Sequence, residues 1–312
     1  VPGVSADIGR LAMSPGIEKD PAIDRPICIL GTGRSGTTLF FRVLSQHPHL
    51  GWFSNFTNKH PGAPWLAAWS RILDLPVVGP RMSFDWRLTP KPREANLLLA
   101  ELTEGVFSQP RRLAASDARP GHVEALRASV RDHLRWQGKK RFLHKHTGFP
   151  RIDWLAEVFP DARFLHVARD GRAVANSMVN VSWWDGTMDS WWWGDMDPDD
   201  EAVLESCGHE PAVLGGVVWK TLMDHIADAR ASLPADRFLE IRYDGMVRDP
   251  RGTMAKVLDF CGLPPSNRFD VRVSSIRVHD FDDKWKKDLG EESIRLLQDY
   301  LAPHLERHGF PL

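Results

Sequence analysis

The chain has 312 residues, is 42% hydrophobic and carries a net charge of −1 at neutral pH. That length suits one large α/β domain or two small ones, and the balanced charge gives no global field that would draw nucleic acid or a charged surface. Cys28, Cys207 and Cys261 are widely spaced and form no Cys-x-x-Cys pair. A disulfide framework and a cysteine-built metal site are therefore set aside, and a reducing, cytoplasmic compartment is the expectation.

In chain order, residues 1–25 are polar and proline-containing and read as an extended lead-in. They show no basic stretch followed by an apolar core, although the chain starts at Val1, which leaves a removed leader open. A first strand is predicted at Ile27–Leu30, then a glycine turn, then a helix over Thr37–Gln46. Residues 50–140 lack strand–helix alternation and read as a mostly helical insertion, with helical patterns near 94–107 and 121–136. The α/β pattern resumes with a strand at Arg141–Lys145, a helix from Arg151 to Phe159, and a buried strand at Arg163–Ala168. Asp170-Gly171 opens another helix. Residues 182–211 are acidic and punctuated by glycine and proline, and they carry Trp183, Trp184, Trp191, Trp192 and Trp193. This segment reads as a lid-like loop. A helix over Val213–Leu233, a strand at Phe238–Tyr243, and helices over Pro250–Cys261 and Glu291–His308 complete the pattern. No apolar run approaches the length of a transmembrane helix.

Strands alternating with helices predict an α/β fold: a P-loop-NTPase-like parallel sheet, flanked by helices, in a single domain. Ligands bind such sheets at the carboxyl ends of the strands. Three strand ends here are rich in charge or glycine: Gly31–Arg34, Lys145–His146 and Arg169–Asp170. The first is the most informative. Gly31-Thr32-Gly33-Arg34-Ser35-Gly36-Thr37-Thr38 joins a strand to a helix N-terminus, a place where backbone N–H groups and the helix dipole hold a phosphate. It is not a Walker A loop, because Thr37 stands where that motif has lysine and the cation sits earlier, at Arg34. The Gly31, Gly33, Gly36 spacing is that of a dinucleotide fingerprint, but the acidic residue that motif expects further on is missing.

At the second place, Arg169 ends a strand and Ser177 lies two turns along the next helix, so both reach toward one phosphate. The plainer reading is a surface arginine and a helix-face serine. At the third, His144 and His146 share one strand face and Lys145 takes the other. A metal would need a third ligand at known spacing, and none is evident. A histidine at a strand end suits a general base, with a hydrogen-bonded structural histidine as the alternative.

GTGRSGTTLF followed by HKHTGFPRIDWLAEVFPDARFLHVARDGRAVANS resembles the PAPS-dependent sulfotransferases, in particular the bacterial, Golgi and tyrosylprotein branches. PAPS is 3′-phosphoadenosine 5′-phosphosulfate. The likeness covers residues 26–46 and 141–181, with weaker matches in RYDGMVRDP and SSIRVHDFDDKWKKDL. It implies PAPS as donor and 3′,5′-adenosine diphosphate (PAP) as product. Gly33, Arg34, Ser35, Gly36, Thr37 and Thr38 match the 5′-phosphosulfate loop, with Arg34 where cytosolic members carry lysine. Arg169 and Ser177 match the pair at the 3′-phosphate, and Tyr243 matches a tyrosine near the adenine. Ser274 or Ser275, with Lys284, resembles the late serine and lysine that close over the nucleotide. Many relatives place a glutamate base soon after the first helix, but His47–His60 contains no acid. The resemblance therefore points to His146 as base, with His60 and Glu94 as reserves and Lys145 and Arg34 as the catalytic cations. It implies in-line transfer to a hydroxyl or amine of a carbohydrate, glycolipid or small metabolite, without metal, nucleic acid or a membrane span. A P-loop kinase or NTPase, a non-catalytic nucleotide module and a partner-binding protein remain the competing readings. Neither the acceptor nor the oligomeric state is legible.

Overall fold

The computed structural model describes residues 18–75, 84, 86–276 and 278–312. Most of the expected lead-in, residues 1–17, lies outside the described residues. Five parallel strands form the sheet: β1 (Ile27–Gly31), β2 (Leu50–Gly51), β3 (Arg141–Thr147), β4 (Arg163–Ala168) and β5 (Phe238–Arg242). Their spatial order is β2-β3-β1-β4-β5, with β1 at the centre. Every residue of β1 is buried, as a strand covered on both faces requires, which is why it reads as an unbroken apolar run. The register sets Leu30 beside His146 and Gly31 beside Thr147. The carboxyl ends of β1 and β3 therefore finish level.

The helices in chain order are α1 (Thr37–Leu44), α2 (Asn55–Lys59), α3 (Asn96–Leu102), α4 (Pro120–Gln137), α5 (Ile152–Val158), α6 (Gly171–Val179) and α7 (Pro198–Ser206). They continue as α8 (Pro211–Ala231), α9 (Tyr243–Arg248), α10 (Pro250–Cys261), α11 (Asn267–Ser274), α12 (Trp285–Asp288) and α13 (Glu291–Arg307). A 3-10 helix spans Pro64–Asp74. One apolar core joins β1, β3 and β4 to α3, α4 and α5 through Leu98, Leu134, Phe142 and Trp154. A second lies on the other sheet face under α1, α10 and α11, around Phe40, Leu165 and Phe269. A third packs α6, α8 and α13 around Val174, Trp219 and Leu301. Side chains as large as the fully buried Trp154 and Trp219 contribute about 3 kcal/mol each or more from burial alone.

Three expectations change. The helix pattern near 94–107 splits into α3 and a short 3-10 helix at Val106–Ser108, because the backbone turns left-handed at Glu104 and Gly105 (φ 50° and 82°). The two-residue β2 is too short to carry a periodic signal. The segment 182–211 is no plain loop. It contains α7, whose buried Asp200 pairs with Lys220 of α8 at 3.0 Å and accepts a hydrogen bond from the Tyr300 hydroxyl of α13 at 2.8 Å. No helix among the described residues is long and apolar enough to cross a membrane.

Candidate active site

The turn from β1 into α1 is held by left-handed torsions at Gly33, Arg34 and Gly36 (φ 81°, 54° and 93°). Torsions of this kind gather N–H groups around an anion. The first turn of α1 has no acidic residue to compete for its positive end. Gly36 is fixed sterically as well, because a Cβ there would lie 2.4 Å from Cδ2 of Tyr243. The Ser35 side chain points away from the ligand side. Its Oγ is buried without a partner beneath Gly31, where an added Cβ would come within 2.5 Å of it. Ser35 thus offers the loop its N–H and not its hydroxyl.

Two cavities of about 620 Å³ each open on either side of this loop. Arg34, Thr37 and Thr38 line both. The first cavity also holds Gly36, Arg169, Ser177, Tyr243 and Lys284. Arg169 is the centre of its charge. Its Nη1 donates to the Arg34 carbonyl at 3.0 Å, its Nε to Asp282 at 2.7 Å, and its guanidinium lies 4.5 Å from the centre of the Tyr243 ring. Trp219 of α8 donates from its indole N–H to the Arg169 carbonyl at 3.0 Å and so fixes the backbone from below. Arg34 Nε donates to Ser177 Oγ at 2.9 Å. Two cations and a hydroxyl from three elements therefore meet at one place. Burial pushes the Asp282 carboxyl above the usual carboxylate range, with Arg169 opposing the shift.

The second cavity holds Gly33, Glu94, Lys145 and His146 beside Phe107, Phe149 and three tryptophans, Trp183, Trp192 and Trp193. Lys145 Nζ donates to Thr38 Oγ1 at 3.1 Å and forms an ion pair with Glu94. Thr147 Oγ1 donates to the same carboxylate at 3.1 Å. His146 sits differently. Its Nδ1 is buried without a partner, and its ring packs edge-on to Phe107 at 5.1 Å. Burial, followed by the charge of Arg151, holds it well below the usual histidine range. Arg151 is itself buried, and it donates to the carbonyls of Phe107, Gln109 and Arg111. It thereby clamps the loop that forms one cavity wall. Burial lowers the Arg151 guanidinium to about 10.

The sequence matches the model of the sulfotransferase family over residues 26–267. The chain belongs to the sulfotransferase family. The omega-hydroxy-beta-dihydromenaquinone-9 sulfotransferase Stf3 of Mycobacterium bovis is 22% identical over 167 residues, which cover 51% of this chain and 38% of that protein. The Stf3 of Mycobacterium tuberculosis matches to the same extent. The matched part thus spans well under half of those relatives' length. Among solved structures, sulfotransferase STF9 of Mycobacterium avium aligns with a TM-score of 0.57 at 18% identity, covering 93% of this chain and 78% of that one. STF1 of M. tuberculosis H37Rv aligns with a TM-score of 0.53 at 17% identity, covering 90% and 77%. At these identities the likeness shows a shared fold.

Of the residues expected at the nucleotide, Arg34, Gly36, Thr37, Thr38, Arg169, Ser177, Tyr243 and Lys284 line the first cavity, Gly33 lines the second, and Ser35 and Ser274 line neither. Ser274 ends α11, where its hydroxyl donates to the Asp270 carbonyl at 2.6 Å and accepts from Arg251 Nε at 2.9 Å. It lines a separate groove between α10 and α11. The loose match of that segment explains the misplacement, since the helix ends before the chain crosses to Lys284. Asn176, His279 and Phe281 also line the first cavity, and nothing in their spacing marks them. His60 does not line the second cavity, whereas Glu94 does. Among the described residues no group of three or more His, Cys, Asp or Glu is placed to hold a metal ion.

Proposed function

We propose that the chain transfers a sulfuryl group from PAPS to the hydroxyl of an apolar acceptor, releasing PAP. One observation carries this reading: two cavities meet at Arg34, Thr37 and Thr38, with Arg169 on one side and Lys145 on the other. A nucleotide phosphorylated at two separate positions needs cations in two separate places, whereas a simple triphosphate needs them along one track. The donor set fits PAPS. The N–H groups at Gly33–Gly36, the hydroxyls of Thr37 and Thr38 and the Lys145 ammonium suit the 5′-phosphosulfate. Arg169 and Ser177 suit the 3′-phosphate. When bound, PAPS supplies the sulfuryl group and a phosphate as leaving group.

The chain's own residues do the rest. Lys145 Nζ and the loop N–H groups neutralise negative charge beside Thr38. Glu94 takes the acceptor's proton at its carboxylate, which faces the second cavity and touches both Lys145 and Thr147. We assign this step to Glu94 in preference to His146, because the Glu94 carboxylate is held by Lys145 and Thr147 at the cavity, whereas His146 Nδ1 is buried without a partner and its half-buried ring packs against Phe107. Phe107, Phe149 and the tryptophans orient an apolar acceptor and exclude water. The mycobacterial relative is named for a hydroxylated menaquinone, and an acceptor of that polarity suits this wall.

The test is a thermal-shift comparison of PAP with ADP, followed by transfer from labelled PAPS to long-chain alcohols and to sugars. Stabilisation by PAP alone and labelled alcohol products are expected. Equal shifts with both nucleotides, or ATP hydrolysis without PAPS binding, would overturn the reading.

A further inference from the structure

We propose that the face built by the 3-10 helix Pro64–Asp74 and residues 86–97 docks on the surface of an anionic lipid bilayer, beside the mouth of the Glu94 cavity. This inference does not rest on the proposed reaction. Trp65, Trp69, Trp86, Leu88 and Leu97 are each more than half exposed, at 58%, 52%, 56%, 73% and 63%. Isolated apolar side chains on a surface are ordinary, but three exposed tryptophans and two exposed leucines on two segments that are hydrogen-bonded to each other mark an interaction site.

Hydrogen bonds bring them together. The Trp69 indole N–H donates to the Leu88 carbonyl at 3.1 Å, joining the two segments. Asn55 and Asn58 of α2 accept from the backbone N–H groups of Lys91 and Leu97, at 2.8 and 3.0 Å. They hold the second segment on α2, which packs against the 3-10 helix.

The charge around the patch names the occupant. Arg71, Arg87 and Arg93 are exposed on these same segments, and Lys59 is exposed at the end of the adjoining α2. The described acids of the stretch are turned elsewhere: Asp74 pairs with Lys139 at 2.8 Å, and Glu94 pairs with Lys145. The patch is thus cationic although the whole chain is near neutral. Indole rings with a polar edge suit the headgroup layer, leucines reach the acyl boundary, and guanidinium groups match lipid phosphates. Glu94 and Asn96 line the cavity, and Leu97 follows directly. Trp183 and Trp192, also more than half exposed, line the same cavity. A bilayer seated on this face would present a membrane-borne alcohol at the cavity mouth.

The experiment is co-sedimentation of the full chain with phosphatidylcholine vesicles and with vesicles that also contain phosphatidylglycerol, at low and high salt. Binding is expected to the anionic vesicles and to weaken with salt. The pair Arg71→Glu and Arg87→Glu should weaken it by about tenfold or more. The pair Trp86→Glu and Leu88→Glu should do likewise, with thermal unfolding and circular dichroism of both variants unchanged. Four results would overturn the proposal. They are no sedimentation with anionic vesicles at low salt, equal binding to both vesicle types, unaltered binding by both folded variants, and a self-associated chain that becomes monomeric when Trp86 and Leu88 are replaced.

Discussion

Replacing Arg169 by alanine is the sharpest probe of the nucleotide side. The change removes a donor to the Arg34 carbonyl at 3.0 Å, an ion pair with Asp282 at 2.7 Å, and a guanidinium 4.5 Å from the Tyr243 ring centre. If Arg169 holds a phosphate, each charge-assisted hydrogen bond to it contributes roughly 1.5–3 kcal/mol. That converts to a loss of about 10- to 150-fold in PAP affinity. ADP has no 3′-phosphate, so its affinity should change by less than about threefold over the same substitution. Arg169→Lys keeps the charge without the planar fork and should fall between the two. Calorimetric titration of wild type and both variants with PAP and with ADP gives the comparison directly. Because Arg169 also anchors the Arg34 backbone, thermal unfolding is followed in parallel to separate loss of the loop from loss of the ligand contact. Equal weakening of PAP and ADP, or none, would refute the assignment of Arg169 to a second phosphate.

Glu94→Gln should lower turnover by about 10²- to 10⁴-fold while PAP affinity holds, and His146→Ala should cost less than about tenfold. Single-turnover transfer in both variants distinguishes the two, and the reverse order would make His146 the base. Gly36→Ala places a β-carbon at a left-handed torsion and 2.4 Å from Tyr243. It should cost at least about 1–2 kcal/mol of stability and abolish the PAP-induced thermal shift, and an intact shift would contradict the steric account of this loop. His144 is buried among Phe53, Phe107 and Phe142, and burial, then the charge of Lys145, pushes it down to about 3. The unfolded chain takes up a proton at this residue as pH falls below 6.5, and the folded chain does so only near 3. Its contribution to stability is therefore complete above pH 6.5 and declines by up to about 1.4 kcal/mol per pH unit between those values. His144→Phe should flatten that slope in urea titrations across the window, and an unchanged slope would show that His144 is not the group responsible.

Much of the fold is legible in the chain because its signals are local. Ile27–Leu30 is an unbroken apolar run bounded by a proline and a glycine turn, and Phe164–Ala168 is apolar except for His166, so the buried strands declare themselves. The phosphate loop is equally plain, since a strand, spaced glycines, a cation and two threonines fall within a few residues. What fails is what depends on distance along the chain. The helical pattern through residues 94–107 hides the turn at Glu104 and Gly105, because propensity does not report where a backbone must reverse to close a cavity wall. Glu94 lies far in sequence from Lys145, and no spacing rule joins them. It reaches the site because the bridge between Ser54 and Pro92 and the Asn55 contacts draw that segment back across the sheet end.

The sequence by itself determined the parallel α/β sheet and the glycine turn at Gly31–Gly36 that joins β1 to α1. Each is written in consecutive residues whose backbone conformation and polarity are set by near neighbours. Only the tertiary structure decided which carboxylate reaches Lys145, that Ser274 lies outside the cavity lined by Arg169 and Tyr243, and that Arg34 contacts Ser177 while Arg169 contacts the Arg34 carbonyl. Those outcomes follow from which strand ends finish level and which segments pack across them. Such packing depends on the burial of whole faces, which no short stretch of sequence contains.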